Sequence, residues 1–308
     1  MDAPPGLVPF DLAGVALPPP PDPAAEPEGF VVLIGEDLRL HFHDWGGPAG
    51  AAGVLLIPGL ASTAWVWAPV ARRLRVVRRV IVMDLPGHGL SDAPYDGYDP
   101  AGFADGVSAV IDGAGLLDAP GLVIAGHGFG AVVAAWAALR LGDALQRLVL
   151  VDGGWDAVEE TSGLDVDEFL RGLDEPPEIM RSMAAFLGDR RGFDPRTWDP
   201  DQERAARDSV VETAAGKVVR SVRPHALEAS VRAMYAYQPE AVLGAVRAPI
   251  LALVARDDTG GLREAALEAV GTMRVAAGAG PIEVLRFPDA GHNLPRYRPD
   301  ALTTALLR

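Results

Sequence analysis

The stretch GLVIAGHGFGAVVAAWAAL sets Gly126, His127, Gly128, Phe129 and Gly130 between a short apolar run and an alanine-rich helical pattern. A sharp strand-to-helix turn of this kind presents its central residue at the surface of a sheet, where a serine, cysteine or aspartate can attack a substrate. Here the central residue is Gly128, which offers no oxygen, sulfur or carboxylate. Covalent catalysis from that position is chemically excluded. On these residues alone two readings stay open: an elbow stripped of its nucleophile, and an ordinary glycine-rich connection in which glycine permits tight backbone and close helix packing. A nucleotide-binding loop is the weaker idea, because the order is G-H-G-F-G rather than G-x-G-x-x-G and no basic residue follows at P-loop spacing.

No other hydroxyl stands out as a replacement nucleophile. Ser62 and Thr63 precede a helical pattern and suit capping, while Ser91 in GLSDAP suits a turn held by its hydroxyl. Among the histidines, His88 lies in PGHGLSD and reads as a hydrogen-bonded turn residue. His41 and His43 alternate on an early strand, and two histidines without a third ligand make no metal site.

These residues need a scaffold, and the chain supplies alternating strand and helix signals. FVVLI, DLRLHFHDW, GVLLIPG, RVIVMD, GLVIAG, LQRLVLVDGG, PILALVARDD and PIEVLRFPDAGHN read as strands. Helices are expected from about Thr63 to Leu74, from about Phe129 to Leu141, and over GLREAALEAVGTMRVAA. Short apolar strands separated by helices indicate an α/β fold with a mostly parallel sheet covered on both faces. Between Gly154 and Ala248 the rhythm becomes helical, without a convincing strand. Nine of the 27 prolines fall in the first 30 residues, where PPPPDP favours extended backbone. The expected organisation is a proline-rich arm over 1–29, a core made of 30–154 and 246–308, and a helical cap over 155–245.

Composition narrows the chemistry. Of 308 residues, 49% are apolar, enough for a large core. A formal charge of −15 and a pI near 4.8 argue against a nucleic-acid partner. The absence of cysteine excludes thiolate catalysis and Cys-ligated metals. The N-terminal residues lack the basic-then-apolar pattern of a secretory signal, and no apolar run reaches spanning length, so a cytoplasmic protein without membrane attachment is the default expectation.

The order of Pro58-Gly59-Leu60, DLPGHGLSDAP, AGHGFG, an insertion after LVLVDGG, ARDD and AGHN closely resembles the α/β-hydrolase family over roughly residues 30 to 308. The resemblance implies an eight-stranded, mostly parallel sheet with an inserted helical cap. It places the nucleophile position at Gly128, the acid at Asp258 and the histidine at His292, with oxyanion-stabilising amides at Leu60 and Phe129. The family's elbow is G-x-S-x-G, so both outer glycines are retained and the central hydroxyl is missing. Asp257, beside Asp258, is expected to face solvent or shape the loop. Asp152, after LVLV, is the reserve acid, ranked behind Asp258. His127, Pro58 and Gly59 read as residues that shape the pocket.

Trp65, Trp67, Trp155, Met183, Phe186 and Tyr235 are the candidates for binding a small apolar or aromatic molecule. The leading functional expectation is an enzyme without cofactor or metal that uses a His–Asp general base and backbone oxyanion hole for addition, elimination, cyclisation or water-mediated hydrolysis. A polyketide-like secondary metabolite, as in antibiotic biosynthesis, is the substrate implied by resemblance to tailoring members of the family. A homodimer is admitted as its assembly. The alternatives are a serine ester or lactone hydrolase whose nucleophile has been replaced by glycine, and a noncatalytic small-molecule binding protein.

Overall fold

The computed structural model describes residues 6–35, 37–256 and 258–308, with Thr259 known by its backbone alone. The strands, in chain order, are β1 (Leu7–Pro9), β2 (Glu28–Ile34), β3 (Leu38–Gly46), β4 (Gly53–Ile57), β5 (Arg79–Met83), β6 (Leu122–His127), β7 (Leu145–Val151), β8 (Val210–Glu212), β9 (Val218–Arg220), β10 (Ile250–Ala255) and β11 (Ile282–Phe287). The helices are α1 (Ala68–Leu74), α2 (Pro100–Gly113), α3 (Phe129–Leu141), α4 (Val158–Ser162), α5 (Val166–Gly172), α6 (Met183–Gly192), α7 (Pro200–Asp208), α8 (Pro224–Tyr235), α9 (Pro239–Ala245), α10 (Leu262–Ala276), α11 (Leu294–Tyr297) and α12 (Pro299–Leu307).

Nine strands form one sheet among the described residues, in the order β1-β11-β10-β7-β6-β4-β5-β3-β2. Every pairing from β1 to β5 along that order is parallel, and β3 runs antiparallel to both β5 and β2. All residues of β4, β6 and β10 are buried. Such uniformly apolar strands are what a parallel sheet covered on both faces requires. Helices α2 and α3 pack over one face with Phe103, Trp136 and Phe129, while α1 and α12 close the other around Trp67, Leu74 and Leu302.

The sheet has one strand more than expected, and it comes from the proline-rich arm. Leu7–Pro9 pairs parallel with Ile282–Val284 at the sheet edge, and Phe10 behind it is buried. An edge strand tolerates Pro9 because its missing amide is not needed for a second neighbour. The first five residues of the arm lie outside the described residues. Within the segment between β7 and β10, α4 to α9 supply the expected helices, but Val210–Glu212 and Val218–Arg220 form an antiparallel hairpin. Three-residue strands carry too little periodicity to be read from a sequence. No helix among the described residues is long and apolar enough to cross a membrane.

Candidate active site

The turn after β6 is an elbow in its backbone. Gly128 has φ 55° and ψ −119°, between a strand ending at His127 and a helix starting at Phe129. The outer glycines are needed for packing: a Cβ at Gly126 would collide with the Gly130 carbonyl, and one at Gly130 with the carbonyls of Ile57 and Pro58. The central position differs. A Cβ there would meet only the imidazole of His292, 3.2 Å from Nε2 and 3.4 Å from Cε1. Gly128 is thus the place in the turn where a side chain would point at a histidine.

His292 sits in the loop after β11, with its side chain about half exposed. Its Nδ1 donates to Asp152 Oδ2 at 2.6 Å, so Asp152, rather than Asp258, is the carboxylate on the ring. Asp152 follows β7, has a side chain wholly shielded from solvent, and adopts φ 48°, a left-handed conformation that aspartate tolerates better than most residues. Its backbone amide donates to Leu253 of the neighbouring β10. Gly153 follows because a Cβ there would lie 2.7 Å from the Gly128 carbonyl oxygen, so the β7 loop is pressed against the elbow. Burial alone would raise the Asp152 carboxyl, yet the hydrogen bond from His292 and the charge of Arg263 outweigh it and hold it below the usual carboxylate value.

Asp258 has a different task. Its two carboxylate oxygens accept the backbone N–H groups of Arg263 and Glu264 at 3.0 and 2.9 Å, bracing the first turn of α10. The loops after β7 and β10 are adjacent in the sheet, so either could reach His292. The β10 loop spends its carboxylate on its own helix. Asp257 lies outside the described residues.

His127 packs its ring 4.5 Å from that of His292 and donates Nε2–H to the His292 carbonyl oxygen at 2.9 Å. Burial, aided by the neighbouring His292, pulls its pKa down to about 3, leaving a neutral ring that steadies the histidine loop. Ser91, as expected, is a turn residue: its Oγ donates to the Asp84 carbonyl and accepts from the His41 amide. His41 Nδ1 is paired with Asp84 Oδ2 at 2.8 Å, and His88 with the Pro86 carbonyl.

A cavity of about 580 Å³ opens over Gly128 and His292. Leu60 and Phe129 line it, and neither of their amides donates to another backbone carbonyl in the turns around them. Helices α4, α5 and α8 wall the other side with Val158, Phe169 and Met234, while Asp156, Thr161 and Arg263 form a polar patch. None of the six proposed binding residues lines this space. Trp67 and Trp155 are fully buried in the core. Trp65 meets the His43 ring at a tilt of 60° and the Arg204 guanidinium, which lies 3.4 Å from its ring centre. Met183 and Phe186 belong to a small apolar cluster in the segment between β7 and β10, and Phe186 lines a neighbouring cavity of about 400 Å³. Tyr235 stands one layer behind, its ring on Phe169 and its hydroxyl donating to the Leu164 carbonyl. The tryptophans went to packing, as large rings usually do, and the cavity is lined instead by Phe129, Phe169 and aliphatic groups. Arg263, Asp156 and Thr161 carried no local sequence signal, since their meeting is made by the fold.

A model of the alpha/beta hydrolase family matches residues 54–305. The chain is 29% identical over 259 residues to a Variovorax paradoxus protein named "Putative carbamate hydrolase RutD", covering 83% of this chain and 90% of that one. It is 38% identical over 116 residues to N-formylmaleamate deformylase of Pseudomonas putida, covering 37% of this chain and 41% of the deformylase. Among solved structures, E-2-(acetamidomethylene)succinate hydrolase superposes with a TM-score of 0.74 at 21% identity, over 91% of this chain and 97% of that one.

Proposed function

Since the chain belongs to the alpha/beta hydrolase family, we propose that it hydrolyses a small carbonyl compound with an apolar or aromatic body, using water activated by His292 above Gly128 and forming no acyl-enzyme. The observation that carries this reading is the pair of distances on one imidazole. Nδ1 is held at 2.6 Å by Asp152, and Nε2 faces, at 3.2 Å, the point where a nucleophile's Cβ would stand. With the proton on Nδ1 fixed by the carboxylate, Nε2 carries the lone pair.

Water in the space above Gly128 gives a proton to Nε2 as its oxygen bonds to the substrate carbonyl carbon. The carbonyl oxygen takes the developing charge, and the amides of Leu60 and Phe129 are the donors available to it. The proton on Nε2 then passes to the departing nitrogen or oxygen as its bond to carbon breaks. The relatives named as a carbamate hydrolase and a deformylase support testing small carbamates and N-formyl compounds beside esters.

A second reading, an ester or lactone hydrolase whose serine has been replaced, draws on the same elbow, where a central Cβ would meet only the His292 ring, at 3.2 Å, and not backbone. General base catalysis contributes about 10²–10⁴-fold, so His292→Ala should lower single-turnover rates on that scale with folding intact. Asp152→Asn should fall by at least about 10²-fold through the wrong tautomer. Asp258→Asn should stay within a few-fold of the parent. Equal damage from both aspartate changes would remove Asp152 as the orienting acid, and a folded parent that binds these compounds without turning any over would favour a binding protein.

A further inference from the structure

Arg263, in the first turn of α10, reaches back across the cavity floor to the acid that holds His292. Its guanidinium donates from Nη1 to Asp152 Oδ1 at 3.1 Å and from Nε to Asp156 Oδ2 at 3.3 Å, and lies 4.9 Å from the Trp155 ring centre. Asp152 Oδ1 also accepts the Ala255 amide at 3.0 Å, while Oδ2 takes His292. The carboxylate is therefore held from two sides, by a histidine on one oxygen and an arginine on the other.

We propose that Arg263 is a positioning residue for the His292–Asp152 pair: it fixes the carboxylate from the side away from the ring, so that the imidazole on its other oxygen keeps its place over Gly128. The inference rests on the reading of His292 as the base. Asp258 enters here as well, because its two bonds to the Arg263 and Glu264 amides set the turn from which the guanidinium extends.

The other groups facing the ring work around this pair. His127 from β6 is neutral, and Asp156 is bound to Arg263 and Thr161. Asp258 is occupied by backbone amides, and Arg298 is paired with Asp289 at 2.5 Å on the outer side of the loop. Arg256 and Arg296 border that outer side too, with Arg296 donating to Thr197 and to the Arg190 and Asp194 carbonyls.

The test uses the full-length protein with ¹³C-labelled histidine, His292→Ala serving to assign the His292 ring Cε1–H resonance. In Arg263→Gln that resonance should shift or broaden at pH 7.5, and the single-turnover rate should fall about tenfold with substrate affinity unchanged, as the carboxylate and the ring it holds lose their fixed orientation. Arg263→Lys, which restores the charge and one donor without the fork, should recover part of the rate. Arg263→Met keeps the stem against Trp155 and serves where the glutamine variant fails to fold. An unmoved resonance in a folded Gln or Met variant overturns the proposal. Loss of the His292→Ala effect on rate would defeat only the catalytic reading, because the resonance still reports on Arg263.

Discussion

At Gly128 the backbone, and not lack of space, makes glycine the easy residue. The dihedral pair φ 55°, ψ −119° lies where side chains are rarely found, and holding one there costs about 1–3 kcal/mol. Gly128→Ser should lower stability by about that amount, measured by urea unfolding. Its Cβ, 3.2 Å from His292 Nε2, forces a small retreat of a ring that has room to move, and its hydroxyl fills the place assigned to water. Turnover of the parent's substrate should drop at least about tenfold if water is the nucleophile. Labelling by an active-serine phosphonate together with a rise of orders of magnitude in ester or lactone turnover would instead establish the replaced-serine reading. The elbow and His292 were legible in the sequence because AGHGFG and AGHN are local patterns. The carboxylate that pairs with His292 was harder to pick, because LVLVDGG and LVARDD both end strands that turn out to be neighbours, and Asp152 meets the ring while Asp258 caps its own helix.

The same division between local and distant information runs through the elements. Strands β4, β6, β7, β10 and β11 announce themselves as apolar runs because both faces of a parallel sheet are covered. The three-residue β1 does not, and its place is fixed by what surrounds it. Phe10 is 5% exposed, packed in the layer that holds α1 and α12, with the Arg147 and Arg308 guanidinium groups 5.7 and 4.9 Å from its ring centre. Arg147 in turn ties β7 to β11 through Glu283. The arm thus seals the edge of the sheet along the first half of β11. Phe10→Ala should cost about 3 kcal/mol, the usual scale for deleting a buried ring. Because the lesion lies away from the cavity, the folded fraction should keep its specific activity; an unchanged unfolding midpoint would mean that the arm is merely laid on the surface.

At the scale of the whole molecule, the buried histidines make stability depend on pH in a window set apart from most carboxylates. Burial pulls His43 down to about 4, His127 to about 3, and His88 below its ordinary value. In the unfolded chain these rings titrate near 6.5. As pH falls below that value the unfolded state takes up protons that the folded state refuses, so stability present above about 6.5 is lost towards 4. Each refused proton contributes a slope of about 1.4 kcal/mol per pH unit, so His43 and His127 together reach roughly 2.5 kcal/mol per unit near pH 5.5, and His88 acts in the same direction. Asp152, held low, adds to the loss only at more acid pH, where its own proton must be accommodated. Asp208 acts the other way: burial raises its carboxyl, and a folded state that takes a proton first gains stability on acidification. The net charge of −15 also opposes the loss as carboxylates neutralise, but ordinary carboxylates do so mainly below pH 5. Thermal unfolding should therefore be nearly level from pH 8 to 7 and fall steeply from 6.5 to 5.5. His43→Gln should flatten that fall by about one proton's slope if the variant folds. Equal unfolding temperatures at pH 7 and 5.5 would show that these rings gain protons in the folded protein, and would overturn the neutral His127 that steadies the His292 loop.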